Sequence, residues 1–124
     1  MLTRLRLCAA LTALLLIVAG SALAQNAGSA GMGDPYFPLL GNGGYDVVHY
    51  NIDLLYDNEQ ETISGETAIE AIATEDLSSF NLDFYGPEIT AVLVNAETSD
   101  FARDGGELTI EPETALEAGA RFSV

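Results

Sequence analysis

The chain has 124 residues, with four basic residues, 19 acidic residues and one histidine, and its formal net charge is −15. That length accommodates one small domain. Arg4 and Arg6 lie in an N-terminal leader, so the rest of the chain sets only Arg103 and Arg121 against all 19 carboxylates, a net charge of −17. Such a surface repels phosphate backbones, which excludes nucleic acid as a partner, and it lacks the basic face that docks on anionic lipid.

Residues 1–24 have the pattern of a cleavable signal peptide. A short cationic start precedes an apolar run over Leu7–Gly20, and the small residues Ala22 and Ala24 predict cleavage between Ala24 and Gln25. The alternative is a membrane-spanning anchor, but the apolar stretch barely approaches the ~20 residues that a bilayer core requires. We therefore expect a secreted or periplasmic (cell-envelope) protein without a stable membrane anchor.

Residues 25–44 are predicted to form a flexible or extended tether. Gln25–Gly33 is small and polar, which is typical of a flexible segment. Two prolines then bias their neighbours toward extended geometry, so Tyr36 and Phe37 are expected to anchor an extended piece against the domain. Gly41–Gly44 is read as a plain loop because it carries no Lys and opens no helix, which excludes a phosphate cradle.

From residue 45 onward, apolar and polar residues alternate, which indicates β-strands. Tyr45–Tyr56 predicts a half-buried strand, residues 57–61 a polar turn, and Thr62–Thr74 a second strand. A helix over the second segment is disfavoured by Gly65 and by its β-branched residues. The apolar faces predicted for the two strands are Val48, Tyr50, Ile52 and Leu54, and Ile63, Thr67, Ile69, Ala71 and Ala73.

The C-terminal half predicts further short strands. They are Phe80–Phe84, Ile89–Val94 (buried on both faces), Glu107–Glu111 (with Leu108 and Ile110 inward) and a strand that begins at Arg121. Asp104-Gly105 suits a type I′ hairpin turn. Short strands separated by turns predict an all-β fold, an antiparallel β-sandwich or saddle. The last strand stops as it starts, so we expect residues 45–124 to be a domain that is incomplete at its C-terminus.

The sequence assigns no catalytic, cofactor-binding or metal-binding residue. His49 stands alone on the polar side of a predicted strand, and neither a His-Glu-x-x-His pair nor a Gly-x-Ser-x-Gly elbow occurs. The single cysteine, Cys8, lies in the leader, so the remaining chain has no disulfide and no thiolate ligand. Asp53, Asp57 and Glu59 could reach a common cation, but a solvated acidic turn is favoured because the register of a calcium loop is missing.

Asp34–Asp57, with the sequence DPYFPLLGNGGYDVVHYNIDLLYD, resembles the start of the N-terminal β domain of aminopeptidase N-like (gluzincin) zinc metallopeptidases. That domain typically opens with a Tyr-Asp-Val-x-His-Tyr-x-x-Asp-Leu strand, which matches Tyr45–Leu54. One departure is Asn95-Ala96, where such proteins often have Asn-Gly. The resemblance continues through Ile63–Thr67, Leu77–Phe84, Glu107–Ile110 and Leu116–Phe122.

The resemblance implies a scaffold domain that is not catalytic by itself. The family's zinc helix, His-Glu-x-x-His, and its Gly-Ala-Met-Glu-Asn loop belong to a later domain, and no residue of this chain matches them. The implied partner is therefore the missing catalytic zinc domain of the same polypeptide. Zinc and peptide substrate are expected only in the full-length parent, which would be a zinc-dependent aminopeptidase.

An alternative hypothesis is a free-standing, secreted acidic β module that binds a protein or a cation. This alternative predicts a closed sheet, whereas a piece of a larger domain should expose an apolar face where further strands pack. Under either hypothesis the like charges repel one another, so added NaCl should raise the stability of the fold.

Overall fold

A computed structural model describes residues 25–124, and the predicted signal peptide, residues 1–24, lies outside the described residues. The described part contains strands and no helix, as the alternating pattern predicts, so the fold is all-β. The nine strands are β1 (Asn26–Ala27), β2 (Tyr45–Asp57), β3 (Thr62–Ala73), β4 (Leu77–Asp83), β5 (Leu93–Val94), β6 (Glu97–Thr98), β7 (Asp100–Asp104), β8 (Glu107–Glu111) and β9 (Arg121–Ser123).

The strands form two main sheets and one small hairpin. One sheet has the order β1-β4-β8-β7, the other has the order β2-β3-β9, and β5 pairs with β6. All neighbours are antiparallel except β1 and β4, which are parallel. The two main sheets share one core but do not close into a complete sandwich.

The core lies between the β4–β8 sheet and the base of the β2–β3 hairpin. Leu77, Phe80 and Ile110 are its largest fully buried side chains. Phe80 packs on Phe122 with ring centroids 5.3 Å apart, and Tyr45 meets Phe80 edge-to-face at 5.8 Å. Edge-to-face aromatic pairs at such distances add stability beyond that of the area they bury. This cluster joins β2, β4 and β9, so it holds the two sheets together.

The longest element is the β2–β3 hairpin, and its register departs from strict alternation at one residue. Val47 pairs with Ala71 and His49 pairs with Glu70, so Val48 is an extra residue in a β-bulge. Val47 therefore shares a face with Tyr50, whereas the sequence pattern placed Val48 on that face.

Several predicted elements are confirmed. β3 spans nearly all of the predicted second strand, with Ile69, Ala71 and Ala73 buried. β8 has the predicted bounds and turns Leu108 and Ile110 inward.

Two predictions for the C-terminal half are wrong. Only Leu93–Val94 of the apolar run Ile89–Val94 forms a strand, and Leu93 is exposed. Ile89 and Val92 lie outside the strand; Val92 belongs to the core and Ile89 packs against it, which explains why that run is apolar. The hairpin turn between β7 and β8 is Gly105-Gly106, one residue later than predicted, because Asp104 still pairs with Glu107.

The segment Asp34–Pro38 is a turn, so its prediction as an extended, anchored piece is wrong. Asp34 Oδ1 accepts the backbone N–H groups of Tyr36 and Phe37 at 2.8 and 2.9 Å, which bends the chain. Both aromatic side chains are exposed, Tyr36 at 86%. Elsewhere the predicted tether does contact the domain: Asn26 N–H donates to the carbonyl of Asp76 at 2.9 Å, within the parallel pairing of β1 with β4.

Candidate interaction surface

The face of the β2–β3 hairpin that packs on the core extends beyond the core toward the tip of the hairpin. Alternate residues of both strands share this face, and at the base of the hairpin Ala71 and Ala73 are buried. Toward the tip the same face is exposed: Ile52 is 57% exposed and Leu54 is 70% exposed. We call the exposed part the distal apolar face. It consists of Tyr50, Ile52, Leu54, Tyr56 and Ile63.

This exposure contradicts the prediction that the first strand is half-buried. Every residue of β2 between its two ends is exposed, although the pattern predicts one buried side. The alternation correctly identifies the apolar side, but no described residue covers it. A contiguous set of large apolar side chains on one exposed face is typical of an interaction surface.

The opposite face of the hairpin is mostly polar and acidic. His49 lies across from Glu70, and Asp53 lies across from Glu66. Arg121 of β9 approaches Glu70 at 3.7 Å, with both side chains largely exposed. An exposed ion pair of this kind contributes little to stability. The hairpin is therefore an amphipathic ribbon whose polar side faces solvent and whose apolar side lacks a covering layer among residues 25–124.

The edges of this sheet are also open. β9 pairs with β3 at residues 70–72, and backbone hydrogen bonds extend this contact to Ile69 through Val124 and to Ala73 through Gly119 and Ala120. Within the described chain, the β3 edge over residues 62–68 has no strand beside it, and β2 has none on its outer side. Exposed edges present unpaired N–H and C=O groups that accept a further strand. The apolar face and these edges form one continuous surface for additional β-structure.

The residues that the sequence offered for catalysis or metal binding do not come together in one site. His49 is exposed on the polar face of β2. Asp57 holds the tip of the hairpin, where its Oδ1 accepts the backbone N–H groups of Glu59 and Gln60 at 2.8 and 3.0 Å. The described part of the chain contains no group of three His, Cys, Asp or Glu residues placed to hold a metal ion. Residues 25–124 also hold no helix long and apolar enough to cross a membrane.

One polar cluster could not be recognised in the sequence, where Gly41–Gly44 reads as a plain loop. The Asn42 amide bridges two strands in the orientation that satisfies both of its polar atoms. In that orientation its nitrogen donates to Glu107 Oε1 at 2.9 Å and its oxygen accepts the Asp83 N–H at 3.1 Å. Gly41 N–H donates to Asp83 Oδ2 at 2.8 Å. We call this arrangement the Asn42 bridge. It connects the segment 25–44 to the ends of β4 and β8.

The Asn42 bridge brings carboxylates together at the sheet end. Asp83 and Glu107 are directly opposite each other on β4 and β8. Desolvation, and next the charge of Asp83, raise the pKa of Glu107. Burial also raises the pKa of the Tyr45 hydroxyl, with additional contributions from Tyr50, Asp83 and Glu107, whereas its contact with the Asn42 side chain lowers that pKa. Tyr45 donates to the carbonyl of Asn81 at 2.7 Å, so its hydroxyl is satisfied as a neutral donor.

No protein-family model matches the chain, and no curated protein matches it. Among solved structures, the fold is similar to the crystal structure of a mutant two-domain M1 zinc metallopeptidase bound to L-arginine. The TM-score is 0.67 and the sequences are 28% identical. The similarity covers 75% of this chain and 22% of the other chain, so this chain spans about a fifth of that protein. The likeness supports a fold like the N-terminal domain of such a metallopeptidase.

Proposed function

We propose that residues 45–124 are part of the N-terminal β domain of a secreted zinc aminopeptidase. In this proposal the chain scaffolds the active-site cleft, and the catalytic domain belongs to a further part of the same polypeptide. The observation that carries the proposal is the structural similarity to an M1 zinc metallopeptidase at 28% identity. The motifs of Tyr45–Leu54 support the same family independently of the fold.

The distal apolar face gives the proposal its physical basis. A closed β module would cover the side chains of Ile52 and Leu54, which here are more than half exposed. Burying one such side chain fully contributes about 1.5–3 kcal/mol. The distal apolar face has five large apolar side chains next to open strand edges. Such a surface is expected when a chain is part of a larger layered domain. The free-standing module is therefore the less favoured alternative.

The described residues offer no ligand set for zinc, so no step of peptide hydrolysis is assigned to them. In the complete protein, zinc would act as a Lewis acid on the scissile carbonyl and lower the pKa of bound water. The role proposed for this chain is to help wall the cleft that admits the free N-terminus of a peptide.

We also propose that the protein is exported. The pattern of residues 1–24 supports cleavage between Ala24 and Gln25. The test is the intact mass and the N-terminal sequence of the protein recovered from the periplasm or the medium. A chain that begins at Gln25 supports the proposal, and a chain that keeps the apolar run contradicts it.

The decisive test of the domain assignment is the coding sequence beyond Val124. An open frame that reaches His-Glu-x-x-His, and a full-length product that removes N-terminal amino acids in a chelator-sensitive way, would support the proposal. A stop codon directly after Val124, with a monodisperse product that unfolds cooperatively, would contradict it and support the free-standing module.

Leu54 and Leu55 provide a matched test of the scaffold role. Both are 70% exposed, but Leu54 lies on the distal apolar face and Leu55 lies on the opposite face. In the full-length protein, Leu54→Asp should destabilise the fold by at least about 2 kcal/mol, because it would bury an unpaired charge. Leu55→Asp should stay within about 0.5 kcal/mol, as surface substitutions usually do. Equal effects of the two variants would contradict the proposal.

A further inference from the structure

The dipeptide Asn42-Gly43 combines chemical lability with a structural role. When glycine follows asparagine, its backbone nitrogen can attack the asparagine side-chain carbonyl carbon, because no side chain obstructs the approach. The new C–N bond closes a succinimide ring and ammonia leaves. Water then opens the ring to aspartate or isoaspartate, so an amide becomes a carboxylate.

Gly43 is closely packed against Ser29. A Cβ on Gly43 would meet the Ser29 hydroxyl, which donates to the Gly31 carbonyl at 3.2 Å, so a larger residue would require that hydroxyl to move. Gly43 N–H also donates to the Ser29 carbonyl at 3.0 Å. The labile pair is therefore part of the contact between residues 29 and 43.

The folded state occupies both reacting groups. The Gly43 nitrogen, which would attack, is engaged with Ser29, and the Asn42 amide is held by Glu107 and by the Asp83 N–H. The attack requires the nitrogen to leave Ser29 and the side chain to rotate toward it. The reaction is therefore open only when residues 41–43 detach from the sheet.

The product could not return to the same place. A carboxylate at position 42 would set an oxygen against Glu107 Oε1, where the Asn42 nitrogen now donates at 2.9 Å. Asp83 on β4 and Asp104 on β7 are both cross-strand neighbours of Glu107, so three carboxylates already lie along this row. Tyr45, which faces the cluster from β2, is held as a neutral donor to Asn81. A fourth carboxylate would meet repulsion with no described cation against it.

We propose that Asn42 is a deamidation site that acts as a one-way latch on the segment 25–44. Docking protects Asn42, detachment exposes it to succinimide formation, and the carboxylate that results prevents docking again. The segment therefore records whether the domain has been opened.

The first experiment measures deamidation of Asn42 in the full chain at neutral pH, by peptide mass spectrometry with isoaspartate detection. The reaction should be at least about tenfold slower in the native chain than in urea, because it proceeds only from the open state. Glu107→Ala, which removes the acceptor of the Asn42 nitrogen, should accelerate it under native conditions. Equal rates in native and denatured chains would overturn the proposal.

The second experiment measures what the product does. Asn42→Asp should lower the Tm at neutral pH, and the loss should shrink as the pH falls and carboxylates are protonated. Asn58→Asp, the same change in the exposed tip of the β2–β3 hairpin, should have little effect. Glu107→Gln combined with Asn42→Asp should restore most of the loss, because the introduced glutamine amide can donate to the new carboxylate. An Asn42→Asp chain as stable as Asn58→Asp, or a double variant without recovery, would overturn the latch.

Discussion

The two ends of the β2–β3 hairpin have the same pattern but different surroundings. At the base, Ala71 and Ala73 face the β4–β8 sheet and are buried. Near the tip, Ile52 and Leu54 lie on the same face of the same ribbon and are exposed. The comparison shows that alternation determines which side of a strand is apolar, whereas burial depends on a second layer. In this chain the second layer extends under only the base.

The largest expected difference in stability is between truncating a core side chain at the base of the hairpin and truncating an exposed one near its tip. Phe80→Ala should destabilise the chain by about 3–5 kcal/mol, because it leaves a cavity among fully packed aromatic rings. Ile52→Ala should change stability by less than about 0.5 kcal/mol, because a side chain that is 57% exposed loses little on truncation. Urea unfolding monitored by circular dichroism gives both values. A large loss for Ile52→Ala would show that the distal face is covered in solution.

Two residues with left-handed backbone sharpen the comparison. Ala96 has φ 67° in the turn that docks on β9, and Glu61 has φ 53° at the distal tip. Ala96→Gly should raise the free energy of unfolding by about 1 kcal/mol, because a Cβ is strained in that region. Glu61→Gly should raise it by less, since the tip can open without global unfolding. Thermal unfolding of the two variants measures the difference, and an equal gain would contradict the idea that the tip opens independently.

A smaller effect is expected at the Asn42 bridge, where pH rather than packing is the variable. The pKa of Glu107 is raised above its usual 4.5, so the folded state binds protons more readily than the unfolded state. Stability attributable to Glu107 is therefore greatest below pH 4.5 and is lost as pH rises through the folded pKa. Glu107→Gln should flatten this decline while keeping an acceptor for Asn42. Measuring Tm between about pH 4 and pH 8 for both chains tests this prediction. A steeper decline of Tm with pH in the variant would contradict it.

The smallest effect should be common to both ends of the hairpin. Residues 25–124 carry a net charge of −17, so NaCl should raise Tm by screening repulsion between exposed carboxylates. The gain should be achieved mostly within the first few tenths of molar salt, where the Debye length falls fastest. A Tm that stays flat from low to molar NaCl would contradict this expectation.

The sequence predicts strands better than it predicts contacts. Alternation in β8 and in the base of β3 identifies both the strands and their buried sides, because those parts do have a second layer. Alternation fails at Val48, since a bulge needs only one extra residue. The extended geometry predicted from the prolines fails at Tyr36, because Asp34 bends the chain there. The Asn42 bridge was also missed, because its neighbouring Gly41 reaches Asp83 across 42 positions of the chain. Such pairings leave no periodic mark in the sequence.

The position of β1 has a consequence for maturation. This two-residue strand begins at Asn26, the second residue after the predicted cleavage point, and Asn26 bonds to both Asp76 and Glu75. A peptidase that cut only three residues farther along would remove Asn26 and Ala27, and β4 would then lose its parallel partner strand. Under the export proposed above, the choice of scissile bond would thus decide whether β1 remains in the sheet, so the precision of processing would be part of the architecture.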